Sequence, residues 1–220
     1  EGASFNGKTG LLRTPPLPLD LKAKTLEVWV RLDSLSQRGG GVISVQTLDG
    51  SEFDAIAYGE QEPGRWMAGS AGFRRYQSFG GAFEKEAGKG FVHIAMAFAA
   101  DGTITGYRNG KPYGKGYSSK VPQAFENGKA VVLFGCRHEP AGGNKMLAGT
   151  VSVARVYDQA LSQQQIETSF KGGRFANDSE IDAKLTAGER AKRADLRKRR
   201  DRIVVELALA HERAKAQSVF

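Results

Sequence analysis

Three sets of residues in this chain have the types and spacing for chemistry. The first is Glu52-Phe53-Asp54-Ala55-Ile56-Ala57. Side chains two apart on a strand share a face, so Glu52 and Asp54 would point into one groove. A retaining glycosidase needs an acid/base and a nucleophile about 5 Å apart. Where the second Glu of such a set should fall the chain has Ile56 and Ala57 instead, and Glu60 follows Gly59 in what reads as a loop. The carboxylate pair therefore lacks its partner, and the pattern reads as non-catalytic. The second set is Arg65-Trp66 through Tyr76-Gln77-Ser78-Phe79. Aromatic faces and polar groups mix here as they do in sugar sites, so Trp66, Arg74, Arg75, Tyr76 and Gln77 are the candidate ligand contacts. The alternative is that Trp66 and Phe73 belong to a core and the arginines to a solvated edge. The third set is the histidines. His93 lies in an apolar strand and reads as a hydrogen-bonded core residue, His138-Glu139 lies in a Pro/Gly loop and reads as solvated, and His211 stands apart. Neither a Gly-x-Ser-x-Gly elbow nor a phosphate loop nor a paired-His metal motif is present.

The elements that must position these residues are short. Runs rich in Val, Ile, Phe and Tyr alternate with Gly-containing turns over residues 1–172, the pattern of a β-sandwich. Strands are expected at 26–32, 41–46, 54–57, 91–98, 103–108, 131–134 and 147–157. Asp101-Gly102 and Asn109-Gly110 are hairpin turns, because Gly and Asn tolerate positive φ. Thr14-Pro15-Pro16-Leu17-Pro18 is a connection or an edge, since Pro lacks the amide donor. Trp29 shares a strand face with Glu27 and Arg31, and Leu26, Val28 and Val30 occupy the other. Cys136 continues the apolar run that begins at Val131 and reads as a buried small hydrophobe. As the single cysteine it excludes an internal disulfide.

After Lys171-Gly172-Gly173 the composition changes to Ala, Leu, Lys, Arg and Glu, which predicts a long charged helix over 173–220. Asn177, Asp178 or Ser179 would cap it. Leu196, Ile203, Leu207, Ala210 and Ala214 make a narrow apolar seam. That seam would pack on the sandwich, pair with another helix, or open a coiled-coil region. The net charge of +8 suits acidic partners without selecting one. The basic run 190–202 is interleaved with Asp195 and Asp201, so it reads as a solvated face and not a nucleic-acid site. No apolar run approaches 18 residues, so no membrane span is expected. The chain opens at Glu1 without Met or leader and reads as an excised fragment or mature form.

Several of these segments fall in a known order. Phe5-Asn6-Gly7, Thr25 to Val30 with Trp29, Gly90 to Ala95 with His93, Arg108-Asn109-Gly110-Lys111, and Gly149 through Leu161-Ser162 stand along roughly residues 3 to 170. Together they resemble the LamG-like jelly roll of the concanavalin A-like lectin/glucanase superfamily. The resemblance implies an all-β, two-sheet antiparallel jelly-roll sandwich followed by the helix. It further implies a carbohydrate-binding or adhesion module of a larger exported bacterial protein, at the cell surface, in the periplasm or outside the cell. Its partner would be a polysaccharide or glycan, and a protein could dock on the C-terminal helix. A purely structural interaction domain and a glycoside hydrolase are the rival readings. Some members of the family bind calcium through acidic oxygen ligands. This chain has Asn6 in the opening motif and Ser152 in the closing strand, where carboxylates are common in the family. Calcium favours several hard, charged oxygens, so the reading is that no cofactor is held. Asn6, Asp20 and Asp158 are the candidates for a calcium site.

Overall fold

The computed structural model describes residues 2–173, 182 and 185–217. The chain divides into two compact units, residues 1–174 and 175–220.

The first unit is a two-sheet antiparallel sandwich. One sheet has seven strands in the order β1 (Ala3–Asn6), β12 (Ala148–Tyr157), β3 (Lys24–Leu32), β7 (Val92–Phe98), β8 (Thr103–Arg108) and β10 (Tyr117–Ser118), with β9 (Lys111–Pro112) also on β8. The other has five, in the order β2 (Leu12–Arg13), β11 (Ala130–Phe134), β4 (Gly40–Thr47), β5 (Phe53–Tyr58) and β6 (Trp66–Ser70). The first and last strands of the sandwich are neighbours, with Phe5 opposite Gly149.

The period-2 alternation of strands sets the core. Leu26, Val28 and Val30 of β3 meet Val45, Ile56 and Tyr58 of the second sheet in one apolar cluster. Asn109 and Gly110 both have positive φ, which makes their turn the tight hairpin expected from an Asn-Gly pair. The closing strand departs from simple alternation. Its register shifts between Val151 and Val153, so Val151 packs in the core opposite Val30, while Val153 lies beside Trp29 on the outer face. Ser152 is the extra residue of that bulge.

Two charged groups cross the interior. Lys24 Nζ of one sheet lies 2.8 Å from Asp54 Oδ2 of the other. Asp54 Oδ1 accepts from Arg75 Nε at 2.8 Å. Glu84 accepts from Trp66 Nε1 at 2.7 Å and from Arg108 on both oxygens at 2.8 Å, and it caps the amides of Lys85, Glu86 and Ala87. Burial alone would raise the Glu84 carboxyl, but these donors hold it down at about 2.

After β12 a ten-residue helix, α1 (Gln163–Gly172), begins at Ser162 with a capping box to Gln165. In the second unit the long helix is α2 (Ala187–Gln217). It starts later than the sequence suggests, behind a capping box in which Thr186 and Glu189 exchange hydrogen bonds. The caps expected at Asn177, Asp178 or Ser179 lie outside the described residues, as does the side chain of Ala214. Leu196, Ile203 and Leu207 are exposed, and Arg199 pairs with Asp195 one turn back at 2.9 Å. No helix among the described residues is long and apolar enough to cross a membrane.

Candidate functional site

Each sheet has an outer face, and each face is covered differently. On the seven-stranded sheet the outward residues of β3 and β7 include Glu27, Trp29, His93, Ala95 and Ala97, all buried. Helix α1 covers them. Its Ile166 joins Ala95, Ala97, Tyr107 and Leu161 in a second apolar cluster. Glu27 Oε1 lies 2.7 Å from His93 Nε2, and Oε2 accepts from Tyr157 Oη at 2.8 Å, Ser169 Oγ at 3.0 Å and Arg155 at 3.3 Å. The other ring nitrogen of His93 accepts from the Gly110 amide at 3.3 Å. Ser169 thus contacts the carboxylate and not the imidazole, and both imidazole nitrogens are engaged. The trio lacks the serine–histidine contact of a nucleophilic triad. His93 is the hydrogen-bonded core histidine expected of it, and Trp29 packs between its ring, 4.5 Å away, and the Arg155 guanidinium at 4.9 Å.

On the five-stranded sheet the cover is a strap, residues 136–146. It lies against small outward residues of the strands. A Cβ at Gly41 would stand 2.2 Å from the Arg137 backbone, so only Gly admits the strap there. Gln46 exchanges two hydrogen bonds of 2.8 Å with Glu139. The His138 ring stacks on Phe53 at 4.5 Å and 14°. His138-Glu139 does lie in a loop, but the expectation that it is solvated needs correction, because both residues are half-buried and recruited by outward side chains of β4 and β5. Cys136 lies beyond the end of β11, in an isolated bridge to Met146, and is buried as expected. Burial raises its thiol, which makes it a weak nucleophile.

At one margin of the strap a cleft of about 330 Å³ opens, lined by Phe53, Glu60, Gly72, Phe73, Arg137 and His138. Glu60 Oε1 lies 2.6 Å from Arg137 in its wall. Burial pushes the Glu60 carboxyl up against the pull of Arg137 and holds His138 below its ordinary value. The rim is Phe73, whose side chain is exposed. It sits at φ 57, directly after Gly72 at the same φ. Asn109 is the only other described non-glycine residue with positive φ, and its hairpin explains it. For an aromatic residue that backbone region costs about 1–2 kcal/mol, and here it displays the ring to solvent.

The residues predicted to contact a ligand separate into two groups. Trp66 is 1% exposed, and its indole N–H is donated to Glu84, so it belongs to the core. Arg75 is buried and bonded to Asp54 and to the Phe53 carbonyl. Neither offers a surface to a ligand, because the strand β6 alternation turns Trp66 inward and the Asp54 carboxylate draws Arg75 in. Arg74 is exposed and paired with Glu52. Tyr76 is half-buried and donates its hydroxyl to Glu62 at 2.7 Å. Gln77 is exposed. The carboxylates Glu52 and Asp54 are both held by arginines, and Asp54 by Lys24 as well.

The three calcium candidates are not brought together. Asn6 is opposite Ala148 at the start of β12, and Asp158 follows its last residue, so at roughly 3.3 Å per residue they lie on the order of 30 Å apart. Asn6 Oδ1 accepts from the Lys8 and Thr9 amides, and Asp20 Oδ1 from the Asn127 amide. The Asn6 bonds lie within one turn, and the Asp20 bond ties two connections together. Among the described residues no group of three or more His, Cys, Asp or Glu is placed to hold a metal ion.

A laminin G family model, described as the concanavalin A-like lectin/glucanases superfamily, matches residues 6–167. The chain belongs to that superfamily. Among curated proteins none matches the sequence. Solved structures that share the fold include a heptameric SAP-like pentraxin from Limulus polyphemus, at 18% identity and TM-score 0.53, covering 76% of this chain and 80% of that one. They also include the CBM40 of a Ruminococcus gnavus IT-sialidase bound to α2,3-sialyllactose, at 12% identity and TM-score 0.51, covering 77% and 96%. A Trypanosoma rangeli sialidase matches at 18% identity and TM-score 0.52 over 78% of this chain, which spans 27% of the sialidase. At these identities the likeness is one of fold.

Proposed function

We propose that this chain is a non-catalytic carbohydrate-binding module of an exported, surface or periplasmic protein, and that it takes a glycan in the cleft beside Phe73. The observation that carries the reading is Phe73 itself, an exposed ring kept in a left-handed backbone at the rim of a cleft. Aromatic rings supply large, rigid, apolar contact area, which suits the C–H face of a sugar. The Glu60–Arg137 pair and the Phe53–His138 stack beside it form a wall with little net charge. A superfamily of lectins and glucanases, with a sialyllactose-bound module among its structural neighbours, supports the same class of ligand. The non-catalytic part rests on the carboxylates. Glu52, Asp54, Glu60 and Glu84 each sit against a basic partner, and no two of them face a common groove unpaired.

The test is a polysaccharide and glycan array probed with the whole chain, with calcium and with chelator, followed by the Phe73→Ala variant. Saturable binding lost in Phe73→Ala, at unchanged melting temperature and with no release of reducing sugar, is the expected result. Absence of binding to every glycan overturns it. A second reading, a protein-docking domain, is favoured by the exposed Leu196, Ile203 and Leu207 of α2. Self-association or partner capture that disappears in Leu207→Asp while glycans fail to bind would decide for it.

A further inference from the structure

Phe73 is one end of a longer line of contacts. Its ring meets the Tyr76 ring edge-on, with centroids 6.3 Å apart. The Tyr76 hydroxyl donates to Glu62 Oε1 at 2.7 Å, and Glu62 Oε2 accepts from Arg65 at 2.7 Å. The Arg65 guanidinium lies over the Phe83 ring, 4.4 Å from its centroid. Among the described exposed large apolar side chains only two are aromatic, Phe73 at 39% and Phe83 at 59%. Both belong to this one line, at its two ends. Single exposed apolar residues are ordinary. Two exposed rings joined through mutually bonded polar groups form a surface that alternates apolar faces with hydrogen-bonding edges. The charges along it cancel in pairs, since Arg65 meets Glu62 and Arg74 meets Glu52.

We infer that the line from Phe73 to Phe83 is a platform for consecutive residues of one uncharged glycan chain, with the cleft as its inner subsite and the Phe83 ring as its outer one. This rests on the Phe73 reading and sharpens it, since the ligand becomes a stretch of polysaccharide and not a single terminal sugar. Pyranose residues present the same alternation, C–H faces bordered by hydroxyls. Rings at both ends of the line, with donors and acceptors between them, match a chain longer than one sugar. With Arg65 and Arg74 each paired, the line itself carries no net charge to draw a polyanion.

The experiment is calorimetric titration with size-fractionated neutral oligosaccharides, from monosaccharide upward, cut from the polysaccharide that the wild-type chain retains. Affinity is expected to climb with length and then level off. Phe83→Ala should lose the gain of the longer oligomers, about tenfold, and leave the shortest binder unchanged, while Phe83→Tyr should keep it. Phe73→Ala should lose binding at every length. Equal affinity for the shortest and longest ligands, or a Phe83→Ala curve superposing on wild type, overturns the platform and leaves the cleft reading standing. A Phe73→Ala curve superposing on wild type overturns the cleft reading, and the platform with it. Preference for a uronate-bearing or sulfated chain over the neutral one overturns the uncharged-ligand assignment.

Discussion

Helix α1 closes the outer face of the seven-stranded sheet with apolar side chains packed over a bonded carboxylate of β3, whereas a Gly/Pro-rich strap crosses the outer face of the five-stranded sheet and leaves a cleft at its margin. Both covers follow from what the strands turn outward. Glu27, Trp29 and His93 on the first sheet are large and polar at their tips, and a helix carrying Ser169 and Phe170 satisfies both properties. Ala55, Ala57 and Gly69 on the second sheet are small and give a backbone room to lie flat, so the strap binds there mainly through Gln46 and Phe53. A helix-covered face contributes stability. A strap-covered face with an open margin can contribute recognition.

The largest expected effect falls on the helix-covered face. Glu27→Ala removes the buried acceptor shared by His93, Tyr157 and Ser169, together with the carboxylate beside Arg155, and should cost roughly 3–5 kcal/mol, read as a lowered midpoint in urea. Glycan binding per folded molecule should be intact, and a loss of binding greater than the unfolded fraction accounts for would join the two faces that are separated here. Ile166→Ala opens a void under α1 and should cost about 2–4 kcal/mol, again without touching the cleft. A smaller effect divides the faces by pH. Burial would raise Glu27, but hydrogen bonds from His93, Ser169 and Tyr157 hold it below the ordinary carboxylate range. Its stabilisation is therefore present above the unfolded value of ~4.3 and lost as pH falls through the folded one. Glu60 is raised, chiefly by burial, so its contribution is present below ~4.3 and lost as pH rises through the folded value. Amide exchange measured at acid pH should quicken in α1 while the strap slows, and a parallel response of the two covers would contradict this. The smallest effect on stability belongs to Phe73→Gly. Relief of the left-handed backbone should leave the melting temperature unchanged or raise stability by up to ~1 kcal/mol, while glycan affinity falls. A clear loss of stability would make Phe73 structural.

Where side-chain alternation was clean the sequence could be read. Leu26, Val28 and Val30 against Glu27 and Trp29 showed which face was which, and Asn109-Gly110 located its hairpin. Strand β6 is hard to read from sequence because both of its faces are covered. Trp66-Met67-Ala68-Gly69-Ser70 shows no alternation of apolar and polar residues, so the stretch fits a buried strand and a sugar-contacting surface equally well. The outward facing of Val153 is not legible in the sequence, because a bulge leaves the residue types unchanged and alters only their facing. The strap looked like a solvated loop because its partners Gln46 and Phe53 lie about ninety residues away in sequence. The Thr186–Glu189 capping box is legible as a Thr-x-x-Glu pattern at the start of the long helix. The cleft residues Phe53, Glu60, Phe73 and His138 belong to separate stretches of the sequence, and nothing in any one stretch joins them. Glu60 and Arg137 meet only through the fold.

Strand β12 has a consequence for how the protein is made. It is the last strand among the described residues, yet it lies between β1 and β3, two of the first. A nascent chain lacking residues 148–157 has no partner for β1 and leaves one edge of β3 bare. Contacts of such long sequence separation slow folding and expose strand edges to aggregation. The sandwich can therefore close only after its final strand has left the ribosome, and until then the exposed edges of β1 and β3 are the surfaces that a chaperone would have to shield.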